Sequence, residues 1–248
     1  MKGVILAGGT GSRLHPLTRI TNKHLLPIFD RPMISYAIEA LVKAGVGDLM
    51  LVTGGTHAGE IVRLLGNGHD YGIERLFYAY QETAGGIAQA LGLAERFVGG
   101  DEVVVMLADN IVERSLAPAV KNFKGQSKGA RILLSKIEDA PHLRHLGVPE
   151  FAEDGRRIVR IIEKPEEPPS SFGVTGIYFY PGDVFSVIST LKPSGRGELE
   201  ITDVNNHFVR EGCMEYDVLE GFWGDAGESI SAYYAVNDFV RAHGANRD

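Results

Sequence analysis

Val4-Ile5-Leu6-Ala7-Gly8-Gly9-Thr10-Gly11-Ser12-Arg13-Leu14 begins almost at the first residue and carries the strongest structural signal in the chain. Four apolar residues read as a buried strand. Three glycines in the next four positions expose backbone N–H groups, because no Cβ bars an approaching oxyanion. Arg13 adds a planar, permanently charged fork that suits phosphate. The stretch predicts a strand followed by a loop that holds a nucleotide's polyphosphate. Two familiar phosphate loops fail on residues. A dinucleotide fingerprint begun at Gly9 needs a glycine where Leu14 stands, and a P-loop needs a Gly-Lys-Ser/Thr ending that does not follow. The plain alternative is a tight strand-to-helix turn, for which one or two glycines suffice.

Working outward, the chain alternates. Pro32 suits the first position of a helix from Met33 to about Ala44, with Ile34, Ile38, Leu41 and Val42 on one face. Leu49–Val52 reads as a strand, His57–Leu65 as a helix, Leu76–Tyr80 as a strand, Gly86–Arg96 as a helix and Val103–Leu107 as a buried strand. Such alternation implies an α/β fold with a mostly parallel sheet and helices on both faces. Ligands then bind at the carboxyl ends of the strands, where the Gly8–Arg13 loop and Asp109-Asn110 both fall. The second half is less regular. Arg131–Lys136 and Gly173–Tyr180 read as strands, Val148–Phe151 with Ile158–Ile162 as a hairpin, and Val184–Leu191, Ile201–Glu211 and Glu228–His243 as helices. The antiparallel part is expected to form a small lid within one domain, 1–248, divided into halves 1–110 and 111–248.

Composition excludes several classes. Of 248 residues, 44% are hydrophobic and 23% charged, as in a globular protein. A net charge of -7 argues against a nucleic-acid partner, which calls for a basic face. Cys213 is the sole cysteine, so an internal disulfide and a cysteine-built zinc site are excluded, and a reducing cytoplasm is expected. Met1-Lys2-Gly3 runs straight into a strand, so no leader is expected, and no apolar run approaches the ~18 residues of a membrane span.

Three further stretches carry candidate chemistry. Asp109, just past a buried strand, suits a magnesium ion or a helix N-cap. Glu163 and Lys164 stand adjacent at a strand end and should point to opposite faces while the strand continues, one reading sugar hydroxyls and the other phosphate, unless they are a solvated pair. Asp225, between Gly224 and Ala226-Gly227 and after Phe222-Trp223, suggests a constrained turn opening on a site, or again an N-cap. No Gly-x-Ser-x-Gly elbow, His-Glu-x-x-His or cysteine beside a base occurs. Chemistry without a protein nucleophile is favoured, and phosphoryl or nucleotidyl transfer fits, since catalysis there is positioning and charge neutralisation.

Gly8-Gly9-Thr10-Gly11-Ser12-Arg13-Leu14 with Lys23-His24-Leu25-Leu26-Pro27 resembles the signature of sugar nucleotidylyltransferases, and in particular the bacterial glucose-1-phosphate thymidylyltransferase family. Gln81 through Gly86–Ala90, Asp109-Asn110-Ile111, Glu163-Lys164-Pro165, Val174–Tyr178, Lys192–Asp203 and Trp223–Gly227 fall in the family's order, so the resemblance covers nearly the whole chain. It implies a Rossmann-like nucleotide-diphospho-sugar transferase sheet. It implies that Leu6, Gly8, Gly9, Gly11, Arg13, Gln81, Gly86 and Asp109 bind the nucleotide, with Gln81 and Gly86 at the base edge. Lys23 and Lys164 would contact the reacting phosphates, and Arg13, Lys23 and Lys164 would be catalytic. Arg196 would hold the sugar phosphate, beside a sugar pocket of Gly147, Glu163, Lys164, Val174 and Tyr178. Asp109 and Asp225 would ligate Mg2+.

The implied reaction is transfer of thymidylyl from dTTP to glucose 1-phosphate, with a homodimeric or homotetrameric assembly. UTP in place of dTTP, another hexose 1-phosphate, and a non-catalytic nucleotide sensor are the alternatives. Three departures from the longer members stand out. Leu146 replaces a tyrosine beside Gly147, which leaves the choice of sugar open. His24 stands where many carry glutamine. The longer members continue past the last helix into part of an allosteric site, which leaves end-product inhibition open.

Overall fold

The computed structural model describes residues 1–248, the side chain of Ala140 excepted. The opening strand, β1 (Lys2–Ala7), lies inside a seven-stranded sheet. In chain order follow β2 (Pro27–Ile28), β3 (Arg31–Pro32), β4 (Asp48–Gly54), β5 (Arg75–Gln81), β6 (Val103–Leu107), β7 (Asn110–Val112), β8 (Ala130–Lys136), β9 (Gly147–Phe151), β10 (Ile158–Glu163), β11 (Phe172–Tyr180), β12 (Met214–Val218) and β13 (Trp223–Asp225). The main sheet has the order β12-β8-β11-β6-β1-β4-β5, in which only β11 runs against its neighbours. It therefore draws strands from both halves of the chain.

The helices are α1 (Met33–Lys43), α2 (Ala58–Leu65), α3 (Ile87–Gly92), α4 (Glu95–Val98), α5 (Ala117–Lys124), α6 (Ala140–Leu143), α7 (Val184–Thr190), α8 (Ile201–Arg210) and α9 (Ile230–His243). The alternation of β1 sorts its side chains between two cores. Val4 and Leu6 pack with α3, α7 and α8 residues such as Leu91, Phe185 and Val204. Ile5 and Ala7 pack with α1, α2 and α5 residues such as Ile38, Ile61 and Phe123. Both faces are covered, and each fully buried aliphatic side chain contributes roughly 1.5–3 kcal/mol of transfer free energy. A third cluster, with Leu14, Tyr36, Ile111, Ala226 and Tyr233, seats α9 against the first loop. No helix among the described residues is long and apolar enough to cross a membrane.

Several details differ from the sequence reading. Pro32 is the N-cap of α1 and pairs in β3, one position ahead of the expected first helical residue. The helix expected over Gly86–Arg96 is two pieces, α3 and α4, parted at Leu93-Ala94. β12 and the β7/β13 pair have no counterpart in the sequence reading. The β9/β10 hairpin stands where expected, packed on α8 and β11, and forms a wall beside the sheet.

Candidate active site

β1, β4 and β6 are parallel, so their following loops leave the sheet at one edge. The glycine loop and Asp109 both start there. Gly9 (φ 93) and Gly11 (φ 64) adopt left-handed backbone. A Cβ on Gly8 would lie 2.6 Å from Gln81 Oε1, so bare backbone lets Gln81 lie against the loop. Gln81 Nε2 donates to Gln89 Oε1 at 2.5 Å and more weakly to the Gly86 carbonyl at 3.4 Å.

Gly86 has φ +99, and a Cβ there would sit 2.4 Å from the Leu199 carbonyl oxygen. That backbone has little room to give, because Leu199 N donates to Gly85 O and its own carbonyl accepts from Ala88 N. Gly86→Ala adds backbone strain of ~1–3 kcal/mol. In a chain of this size that lowers Tm by roughly 2–4 °C per kcal/mol. Because the resemblance places Gly86 at the base edge of the nucleotide, the nucleotide KM is expected to rise about tenfold or more. Thermal melts and initial-rate kinetics check both.

Asp109 lies in the turn between β6 and β7, and Asp225 ends β13, which pairs with β7. Neither caps a helix: the N-cap of α9 is Ser229, whose side chain accepts from Ala232 N. Lys23 Nζ reaches Asp109 Oδ2 at 2.5 Å, and both side chains are nearly buried, 11% and 7% exposed. A Cβ on Gly227 would sit 2.4 Å from Asp109 Oδ2 and 2.9 Å from Lys23 Nζ, so a glycine is needed there for the Asp225 turn to close on the pair. Asp225 Oδ1 accepts from Gly227 N at 2.8 Å.

Burial works against the Asp109 charge, yet the neighbouring Lys23 ammonium holds its carboxyl well below the usual range. Burial and then the Asp109 charge push the Asp225 carboxyl well above it. His24, fully buried and next to Lys23, is pushed down to about 3 by burial first and the ammonium second. It is therefore a neutral imidazole, with Nδ1 2.8 Å from Asn22 Oδ1.

Two adjoining cavities result. The first, about 270 Å³, is lined by Leu6, Gly8, Gly9, Lys23, Gln81, Gly86 and Asp109 among the expected nucleotide residues. The second, about 430 Å³, is lined by Gly147, Glu163, Lys164, Val174, Tyr178 and Arg196. Arg13 and Asp225 line both, at their junction. Gly11 lines neither; its Cα lies behind the wall, where a Cβ would sit 3.1 Å from Thr18 Cγ2 and 3.2 Å from Lys23 Cβ.

The second cavity is polar on one side. Glu163 Oε2 accepts from Thr202 Oγ1 at 2.6 Å. Arg196 Nη2 donates to Glu200 Oε2 at 2.8 Å and also reaches Glu163 Oε1 at 3.4 Å. Lys164 and Glu163 do not point to opposite faces. The strand ends at Glu163, Lys164 takes a left-handed backbone (φ 48), and its ammonium turns back to within 3.7 Å of Glu163 Oε1. Tyr178 stays a neutral hydroxyl, raised by burial and then by the Glu163 charge.

The charges also bear on a metal. Asp109, buried, and Asp225, half-buried, are two hard oxygen donors whose mutual repulsion is answered by one ammonium. No group of three or more His, Cys, Asp or Glu side chains converges among the described residues. Two carboxylates with the remaining positions left to phosphate and water is the usual mode for magnesium, so the donor set fits.

Several residues at the site were not singled out by the sequence reading. Gln89 holds Gln81, while Asn110, Thr202, Asn205 and Trp223 line the second cavity. The helical spacing of Ile201, Thr202 and Asn205 was the available signal for two of them. His142, in the short helix α6, packs edge-on to Trp223 and sits with Nδ1 2.9 Å from Glu228 Oε2. That bond, opposed by burial, raises the His142 pKa above 6.5. A raised histidine contributes stability that is full below about 6.5 and lost as pH rises through the folded value. Glu228→Gln is expected to bring the His142 pKa back toward 6.5, which an NMR titration reads.

The family described as nucleotidyl transferase matches residues 2–243. The chain is 40% identical over 240 residues to a glucose-1-phosphate thymidylyltransferase of Neisseria meningitidis, covering 96% of this chain and 82% of that one. It is 39% identical over 245 residues to one of Actinoplanes, covering 98% and 78%. A crystal structure from Bacillus anthracis, described as a glucose-1-phosphate thymidylyltransferase in complex with sucrose, superposes with TM-score 0.91 at 48% identity, over 97% of this chain and 95% of that one. A UDP-glucose pyrophosphorylase complexed with UDP-glucose shares the fold, at TM-score 0.81 and 24% identity.

Proposed function

The chain belongs to the nucleotidyl transferase family, and from that premise we propose that it transfers a thymidylyl group from dTTP to glucose 1-phosphate, giving dTDP-glucose and pyrophosphate. The observation that carries the reading is the junction of the two cavities. There the Lys23–Asp109 pair, Asp225 and Arg13 meet, with Lys164 and Arg196 on the far side. In this reading the first cavity takes the nucleotide and the second the sugar phosphate.

The attacking phosphate oxygen is already ionised near neutral pH, so no general base is required. The obstacle is repulsion between two anions brought into line. Arg13 and Lys23 offset it from the nucleotide side, and Lys164 and Arg196 from the sugar side. A divalent metal, Mg2+ in this reading, would be held by Asp109 and Asp225 and would neutralise phosphate charge when bound. The Glu163–Thr202 pair presents an oriented carboxylate to sugar hydroxyls. Gln81, fixed by Gln89, presents an amide edge to a pyrimidine. Thymine and uracil differ there by one methyl group, worth only ~1–3 kcal/mol.

Pyrophosphate release measured over a matrix of nucleoside triphosphates and hexose 1-phosphates, with and without Mg2+, tests the assignment. The largest kcat/KM is expected for dTTP with glucose 1-phosphate and Mg2+. No release from dTTP or UTP with any hexose 1-phosphate would overturn it.

A further inference from the structure

One buried side chain joins the two cavities. Asn110 is 1% exposed and follows Asp109 at the start of β7. Its Nδ2 donates to Asp109 Oδ1 at 3.2 Å. Its Oδ1 accepts from two donors, Gly176 N at 2.8 Å and Trp223 Nε1 at 2.7 Å. Gly176 and Trp223 both line the second cavity. Gly176 lies where the β11–β8 register shifts, between Val174 and Tyr178. The amide presses against that strand: a Cβ on Gly176 would sit 2.7 Å from Asn110 Nδ2. One planar group thus holds a carboxylate of the nucleotide cavity and two walls of the sugar cavity in fixed relation.

The chemistry explains the residue type. A carboxylate here would still accept from Gly176 and Trp223 but would face Asp109 with a like charge. An apolar isostere would orphan two buried N–H donors, each costly to leave unpaired. Among these three side chains of like size and shape, only the amide donates on one side and accepts on the other.

We propose that Asn110 is a positioning residue that sets the Asp109 carboxylate against the sugar cavity, so that the reacting phosphates meet in line. The proposal rests on the function read above. Its signature is loss in turnover with the nucleotide affinity kept, because Asn110 acts on Asp109 from the sugar-cavity side.

The test uses the full chain with Asn110→Asp, which keeps both acceptor contacts, and Trp223→Phe, which removes one donor from Asn110 while leaving Asp109 untouched. Steady-state kinetics for both substrates are paired with Mn2+ affinity measured by electron paramagnetic resonance in the presence of dTTP alone. Asn110→Asp is expected to lower kcat about 100-fold with the nucleotide KM within about threefold, and to shift the Mn2+ affinity. Trp223→Phe is expected to lower kcat about tenfold with the nucleotide KM unchanged. Folded variants with unaltered kcat and Mn2+ affinity overturn the proposal, as does a fall in kcat matched by an equal rise in both KM values. A wild-type chain with no transferase activity is instead a failure of the function assigned above, and the Mn2+ shift still reads Asn110.

Discussion

Asp225→Asn is expected to lower kcat by about 10²–10³, while raising the melting temperature of the metal-free protein. The two effects have opposite signs for one reason. Asp225 is half-buried, with its carboxyl desolvated beside Asp109, and both conditions disfavour its charge, so its folded pKa lies above the ordinary 3.8. A carboxyl raised on folding destabilises the native state increasingly as pH climbs from the unfolded value through the folded one. An amide removes that penalty and keeps the acceptor for Gly227 N. It also removes a charged donor from the pair proposed to hold Mg2+, and with it ~3–4 kcal/mol of transition-state stabilisation. Melts at pH 8 without divalent cation, alongside steady-state kinetics, read both. Near-normal turnover in the folded variant would remove Asp225 from the metal site.

Lys23→Ala should be the mirror case. Breaking a buried ion pair from one side leaves an uncompensated charge, at ~3–5 kcal/mol. Here Asp109, only 7% exposed at its side chain, would be left facing Asp225. Turnover is expected to fall by orders of magnitude and Tm to drop. Added Mg2+ or Mn2+ should restore a large part of the lost Tm but not the turnover, because a cation can replace the ammonium's charge but not the contact with the phosphates proposed for Lys23. A metal-independent Tm in this variant would show that the two carboxylates do not form a cation site.

Much of this architecture was legible because local pattern and global fold agree. Four apolar residues before three glycines gave β1 and its loop, and the Ile34–Ile38–Leu41 spacing gave α1. The elements that were not legible depend on distant partners. β7 is three residues long and exists through β13, more than a hundred positions away. β12 is an edge strand whose Glu215 and Asp217 interrupt any apolar run. The break between α3 and α4 carries no proline to announce it. At the site, the glycines and charged residues were legible by type. What eluded the sequence were relations between residues: the pairing of Lys23 with Asp109 across 86 positions, and the turn at Lys164 that folds it back on Glu163. Asn110 shows the same limit, since its neighbour Asp109 was visible but its bonds to Gly176 and Trp223 were not.

The most direct measurement is the fate of the α-phosphorus. A single stereoisomer of dTTP bearing sulfur on that phosphorus, mixed with glucose 1-phosphate, Mg2+ and the protein, is followed by 31P NMR. A thio-analogue of dTDP-glucose should form together with one equivalent of pyrophosphate, with inverted configuration at phosphorus, as one in-line displacement between the two cavities requires. Retention of configuration would contradict this by requiring a covalent nucleotidyl-enzyme, and absence of the sugar nucleotide would contradict the transfer itself.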